Sequence, residues 1–219
     1  MTTTEGGDAG ASTESEDAAA ATDADAEAES QSEADEARYA VVLDHLPHGR
    51  ADDDRPRHRK SPLAYALGEQ EFRLFELTLA DDADISIGDR VVIGPTEARD
   101  VVSGFKQIDY DDLSNTGNAE LEYAVEEIID ANEGRFVDFY NDAQPITLRL
   151  HQLNLLPGIG KKLRNNILDE RKRGPFESFE DLEERVSGLH NPREVLTERI
   201  MEELRDDDLK YKAFVGREQ

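Results

Sequence analysis

One run of eight residues, Leu155-Leu156-Pro157-Gly158-Ile159-Gly160-Lys161-Lys162, combines the residue types with which a chain can hold a phosphate on its backbone. Pro157 has no N–H and cannot continue a preceding helix. Gly158 and Gly160 permit positive φ and let main chain approach a ligand closely. Ile159 between them is apolar and fits the space between two packed helices. A helix restarting at Lys161 offers its first N–H groups and its dipole to an anion. Lys161, Lys162 and Arg164 add charge where that phosphate would sit. Between Arg149 and Gly174 there are seven Lys plus Arg against two acids. A turn used only for packing explains neither the Gly-Ile-Gly spacing nor this local charge reversal, so the run is read as a phosphate-binding helix-hairpin-helix.

Two further segments carry weaker signals of the same chemistry. Ser187-Gly188-Leu189-His190-Asn191 occupies the position of a second hairpin, with one glycine and acids following it. Gly188 and His190 are candidate contacts there, but the favoured role is structural, completing a four-helix tandem unit. The loop from Pro47 to Pro62 holds Arg50, Arg55, Arg57, Arg59 and Lys60 with His48 and His58. In small five-stranded barrels the loop after the first strand borders the oligonucleotide-binding face, which makes Arg55, Arg57, Arg59 and Lys60 candidate ligand contacts.

The elements that must position these residues follow from periodicity. Residues 39–43 read as a strand buried on both faces. Between Glu71 and Leu79 the apolar register changes parity, which predicts a bulge. Ile85 and Ile87, a Gly88-Asp89 turn, Val91-Val92-Ile93 and a segment around Gly104 complete four or five short strands. From Asn118 the period turns helical: Leu121, Ala124, Val125, Ile128 and Ile129 share a face, and Gly134 is expected to end that helix. Phe136, Phe139 and Tyr140 mark a second helix, and Pro145 is expected to open a third with Leu148 and Leu153. Ser178 and Asp181 cap a short helix. Asn191, Pro192 and Glu194 are expected to cap the last helix, whose core face is Val195, Leu196, Ile200 and Leu204. Leu209, Tyr211, Ala213 and Val215 alternate, as a strand or an arm docked on its own protein.

The expected fold class is α+β: a small OB-like β-barrel at residues 38–113, then an all-helical tandem helix-hairpin-helix domain at 114–207. Residues 1–37, rich in Ala, Asp, Glu, Ser and Thr, are expected to be a disordered acidic tail, and 208–219 a C-terminal tail.

Composition narrows the function classes. There is no cysteine, so disulfides and thiolate metal sites are excluded. No apolar run approaches a membrane span and the N-terminus has no signal-peptide pattern, so a cytoplasmic protein is expected. The 51 acids against 25 bases give a net charge of -26, and residues 1–36 hold 12 of those acids and no base. Only seven of the bases are Lys. So acidic a chain ordinarily repels nucleic acid. An acidic, Lys-poor surface is also what a salt-saturated cytoplasm selects, and there the Debye length falls to about 3 Å. A haloarchaeal source is therefore expected, with local geometry deciding what binds. Asp52-Asp53-Asp54 and Asp206-Asp207-Asp208 read as solvated surface, and there is no nucleotide-binding Gly-rich loop or His pair at metal spacing.

The run Asn132-Glu133-Gly134-Arg135-Phe136-Val137-Asp138-Phe139-Tyr140-Asn141, then Pro145-Ile146-Thr147 and Arg149-Leu150-His151, leads straight into the hairpin. With Phe176-Glu177-Ser178-Phe179-Glu180-Asp181-Leu182 behind it, and Leu46-Pro47 and Ile87-Gly88-Asp89-Arg90-Val91 ahead, the chain resembles the archaeal family labelled domain of unknown function 655 from about Tyr39 to Leu204. The resemblance implies an OB-like domain joined to a tandem helix-hairpin-helix, and nucleic-acid binding. It also implies genes beside those of translation and transcription, including a ribosomal RNA adenine dimethyltransferase, which favours RNA over DNA. The expectation is a non-catalytic protein gripping nucleic-acid backbone, without cofactor or metal, with ribosome-maturation or transcription proteins as further partners. The alternatives are a DNA-binding protein or a protein-interaction adaptor, and last a glycosylase or nuclease.

Overall fold

The computed structural model describes residues 37–50, 56 and 60–216. The acidic segment expected to be a disordered tail, and Arg55, Arg57, His58 and Arg59, lie outside the described residues. Strands β1 (Arg38–Leu46), β2 (Leu63–Gly68), β3 (Leu74–Leu79), β4 (Arg90–Gly94) and β5 (Val102–Ile108) form one curled antiparallel sheet in the order β4-β1-β2-β3-β5. Five α-helices follow: α1 (Asn115–Ala131), α2 (Glu133–Asp142), α3 (Lys161–Arg171), α4 (Phe179–Arg185) and α5 (Pro192–Arg205). The class is α+β, as expected.

Both faces of the sheet are covered, which is why β1 is apolar at consecutive positions. Val41 and Leu43 join the core beneath the helices, while Ala40 and Val42 face the inside of the curl. The same division explains the parity change near β3. Leu74 packs under the helices, and Leu77 and Leu79 point into the curl beside the half-buried Phe75. No bulge was needed: β2 and β3 pair in unbroken register from Leu63↔Thr78 to Leu67↔Leu74. Irregularities sit instead in β1 between Val42 and Asp44, in the β1–β4 pairing at Arg38/Tyr39, and opposite Thr78/Leu79, where Ser103 is the extra residue of β5. Phe72 precedes β3 at φ 49 and is fully buried, its ring 6.0 Å from that of Phe136 on α2.

Helix α1 begins one turn earlier than its apolar stripe. The Ser114 hydroxyl accepts from the Gly117 N–H at 3.0 Å and donates to Asp44 Oδ2 at 2.6 Å, tying the helix start to β1. Leu121, Val125 and Ile129 are fully buried, each worth about 1.5–3 kcal/mol on burial. The helix stops at Ala131, with Asn132 between it and α2. Gly134 lies inside α2 and ends nothing. Pro145 also opens no helix. It pairs with His151 in an isolated bridge, and the Thr147 hydroxyl accepts the N–H groups of Arg149 and Leu150. A loop closed so tightly leaves Leu148, expected on that helix, fully exposed.

The helices pack by their apolar faces against one another and the sheet in a continuous core from Val41 through Leu204. Sheet and helices belong to one unit spanning residues 37–219. The segment after α5 is a docked arm without strand pairing. Its anchor is Glu203, wholly buried on α5. That carboxylate accepts the N–H groups of Ala213, Phe214 and Val215 at 2.7–3.0 Å and the Arg199 Nε at 2.7 Å. Phe214 thereby reaches the Phe139 ring at 4.8 Å, and the Gly216 N–H donates to the Glu71 carbonyl at 2.9 Å.

Candidate nucleic-acid interface

The first turn is held by side chains on its inner side and open on its outer side. His151 caps a single 3-10 turn, Gln152–Leu155, its Nδ1 accepting from the Leu153 N–H at 3.2 Å. An imidazole that accepts at Nδ1 carries its proton on Nε2 and must be neutral. Burial, with the positive charges of Arg164 and Arg171 in second place, lowers its pKa below the usual imidazole value. Leu153 and Leu156 anchor the turn in the core. Gly158 takes φ 74, and Ile159 plugs back inward, 4% exposed. Its N–H donates to the Leu156 carbonyl at 3.2 Å. The element before the turn is thus one turn of 3-10 helix, shorter than expected.

Asn154 straps the loop to the following helix. Its Nδ2 donates to the Ile159 carbonyl at 2.9 Å, and its Oδ1 accepts from Arg164 Nη1 at 3.1 Å. Arg164 also donates to Asn165 Oδ1 at 3.0 Å, so it braces the turn as well as charging it. The Gly160 N–H is spent on the Gly158 carbonyl at 3.1 Å, and the first bond of α3 runs from the Arg164 N–H to the Gly160 carbonyl at 3.0 Å. The N–H groups of Lys161, Lys162 and Leu163 therefore precede the helical ladder and have no intrahelical acceptor.

Outside the turn there is room. A Cβ added at Gly158 or Gly160 would meet nothing within 4 Å. Gly158 needs to be glycine for its φ, whereas Gly160, at φ -77 and ψ 179, does not. Lys161 and Lys162 are exposed and form no ion pair among the described residues. Neighbouring bases are committed: Lys172 to Asp169 at 2.8 Å, Arg173 to Glu170 at 2.6 Å. Arg171 binds the carbonyls at the end of α2, including those of Tyr140 and Ala143 at 3.2 and 3.1 Å. The local excess of charge narrows to Arg149, Lys161, Lys162 and Arg164.

A second turn repeats the first thirty residues on. Val186 and Leu189 are buried like Leu156 and Ile159, Gly188 takes φ 93, and the Leu189 N–H donates to the Val186 carbonyl at 3.1 Å. The two are joined where Asn166 Nδ2 on α3 donates to the Ser187 carbonyl at 3.2 Å. The outer side differs. Asn191 sits in the left-handed region at φ 47, and its N–H donates to Glu183 Oε1 at 2.6 Å. The expected capping box is not formed: the Asn191 side chain makes no cap and donates to Glu194 instead. Pro192 has no N–H to give. Gly188 and His190 are exposed, but the groove beside them is lined by eight carboxylates and two arginines, Arg193 and Arg205. Sequence reasoning missed Glu183, because no spacing rule ties a mid-helix acid to an amide eight residues on.

Lys60, the described one of the four candidate contacts in the basic loop, donates from Nζ to the Arg50 carbonyl at 3.1 Å. Arg50 in turn pairs with Glu76 on β3, which also takes Lys106 of β5 at 3.3 Å. The foot of the loop therefore rests on the outer face of the sheet. No hydrogen bond or ion pair among the described residues joins Lys60 to either turn. Among the described residues, no group of three His, Asp or Glu is arranged to hold a metal, and no helix is long and apolar enough to cross a membrane.

A family model described as a protein of unknown function, DUF655, matches residues 36–216. An uncharacterized protein of Methanocaldococcus jannaschii is 42% identical over 178 residues, 81% of this chain and 79% of that protein. A crystal structure of a DUF655 protein from Archaeoglobus fulgidus superposes with a TM-score of 0.74 at 45% identity, covering 81% of this chain and 99% of the other. Both relatives are archaeal. The haloarchaeal source read from the acidic surface rests on composition alone.

Proposed function

The chain belongs to the DUF655 family, and we propose that it is a non-catalytic nucleic-acid-binding protein that grips phosphate backbone with the turn at residues 157–162. In this reading the turn is the working half of a tandem helix-hairpin-helix, and the curled sheet is an OB-like half-barrel. The observation that carries it is the outer side of the first turn. Unpaired Lys161 and Lys162 flank helix amides without acceptors, beside two glycines facing open space, in a protein whose net charge is -26. A phosphate oxygen accepts from such amides directly. Short-range bonds of this kind keep their strength in molar salt, where counterion release contributes little. Backbone contact positions without specifying sequence, so weak sequence selectivity follows. The second turn, its amide taken by Glu183, serves the packing.

RNA is favoured over DNA on the family's association with translation, in a ribosome-maturation setting. The acidic groove beside the second turn favours a second reading, an adaptor that binds another protein. Titration of structured RNA, single-stranded DNA and duplex DNA in molar KCl tests both readings. Gly160→Asp is the sharper variant, since neither φ nor space opposes it and only an approaching phosphate would. Loss of about tenfold or more in affinity is expected there and in Lys161→Glu/Lys162→Glu. Unchanged affinity removes the first turn from the mechanism, and no binding to any nucleic acid leaves the adaptor.

A further inference from the structure

Among the described residues three large apolar side chains are exposed, and Leu148 is exposed furthest, at 107% against 67% for Tyr123 and 44% for Ile87. The loop that carries it is not slack. The Ile146 and Thr147 N–H groups donate to the Leu150 carbonyl at 2.9 and 3.0 Å, and the Gln152 N–H donates to the Gln144 carbonyl at 2.9 Å. With the Thr147 hydroxyl holding the amides of Arg149 and Leu150, the tip keeps Leu148 in solvent instead of letting it fold back onto its neighbours. Beside it Arg149 is exposed and forms no ion pair or side-chain hydrogen bond among the described residues. The loop shares its foot with the first turn. The Asn154 N–H donates to the His151 carbonyl at 2.8 Å, and Asn154 Nδ2 donates to the Ile159 carbonyl at 2.9 Å. Charge unites loop and turn as well. From Ala143 to Leu168 there are 26 residues without an acid, the longest such stretch in a chain where 51 of 219 residues are acids, and they include Arg149, Lys161, Lys162 and Arg164. Glu198, Glu202 and Asp206 stand beside Pro157 with Arg205 among them, and Lys161 and Lys162 pair with none of the three.

We propose that Leu148 is a wedge that packs between unstacked bases of a nucleic acid, so that the protein selects a bulged or looped strand over continuous duplex. The inference rests on the phosphate grip proposed for the turn at residues 157–162 and names the class of strand that this grip holds. An apolar side chain held out beside a free guanidinium matches a base face beside its phosphate. Leucine is among the side chains that enter a base step in this way. Opening a paired step costs free energy that a bulge or loop has already given up, and splayed bases of that kind are where proteins read RNA most readily. The acid-free stretch lets a polyanion reach the loop and the turn together, in a chain whose surface elsewhere repels it.

The test titrates the full chain in molar KCl with two RNA duplexes of equal phosphate number, one continuous and one bulged, carrying 2-aminopurine beside the bulge. Wild type should bind the bulged RNA about fivefold or more tightly than the continuous one, with a rise in 2-aminopurine fluorescence as the base loses its stacking. Leu148→Ala removes no packing, since the side chain is wholly exposed. It should erase most of that preference and the fluorescence rise, and leave affinity for continuous duplex within about twofold. Leu148→Phe, which keeps an apolar wedge, should retain the preference. Gly160→Asp should weaken binding of both RNAs. A preference that survives Leu148→Ala while Gly160→Asp still weakens both RNAs would overturn the wedge and leave the grip standing. An equal loss on both RNAs in Leu148→Ala would overturn it too, as would phosphatidylglycerol vesicles that take up wild type but not Leu148→Ala. Wild type that binds neither RNA would overturn grip and wedge together.

Discussion

Glu203 and His151 show how much of this molecule rests on single polar side chains. Glu203 is a buried carboxylate whose partners are Arg199 and three consecutive amides of the arm. Removing one member of such a pair leaves the other charge stranded, at a cost of about 3–5 kcal/mol. Glu203→Ala should lose stability on that scale in urea unfolding and expose Lys210 and Lys212 to trypsin, while Glu203→Gln, which keeps an acceptor, should lose less. Equal protease resistance in all three proteins would show that the aromatic packing of Phe214 holds the arm unaided. His151 links the first turn to pH. Its folded-state pKa is lowered, chiefly by burial, so the unfolded chain binds the proton more readily. Stability at this site is therefore full above the ordinary imidazole pKa of about 6.5 and is lost as pH falls toward the lowered value. His151→Asn keeps a cap acceptor and does not titrate. Between about pH 7.5 and 5.5 wild type should lose more stability than this variant, and parallel losses would mean that the folded and unfolded imidazoles take up the proton alike.

At the scale of elements the two turns are an internal control. Both bury an apolar residue on each side of a positive-φ glycine, but one leaves helix amides without intrahelical acceptors and the other fills its amide from Glu183. Glu183→Lys should therefore raise nucleic-acid affinity by several-fold, by relieving repulsion and freeing the Asn191 N–H. An unchanged affinity would place the second turn away from the ligand path. The sequence carried the first turn almost whole, because proline, glycine and lysine impose local demands that spacing expresses directly. The strands and helix faces were legible for the same reason, through periodicity. What escaped was set by distant partners. The parity change at Phe72–Phe75 looked like a bulge because a strand buried on both faces has no single register to keep. Pro145 looked like a helix start because nothing in its neighbours announces the bridge to His151. Asn191 does stand at the N-cap with Pro192 behind it, but Glu183, from another helix, takes the amide that the capping-box acid Glu194 was expected to hold.

For the whole molecule the proposed function asks how a chain of net charge -26 would hold a polyanion. Residues 1–36 contribute 12 acids and no base, so removing them leaves a net of -14. Repulsion from that segment acts over the Debye length, about 10 Å at 0.1 M salt and about 3 Å at 1 M. The amide and lysine contacts proposed at the first turn would act at hydrogen-bond distance and be screened far less. Deleting residues 1–36 should therefore raise RNA affinity by several-fold at about 0.1 M KCl, and by less than about twofold in molar KCl. Binding curves for the full chain and the truncated protein at the two salt concentrations measure this directly. A gain that persists undiminished in molar KCl would mean that the acidic segment occupies the phosphate grip by direct contact, making it a competitor for the Lys161 and Lys162 amides in place of a long-range field.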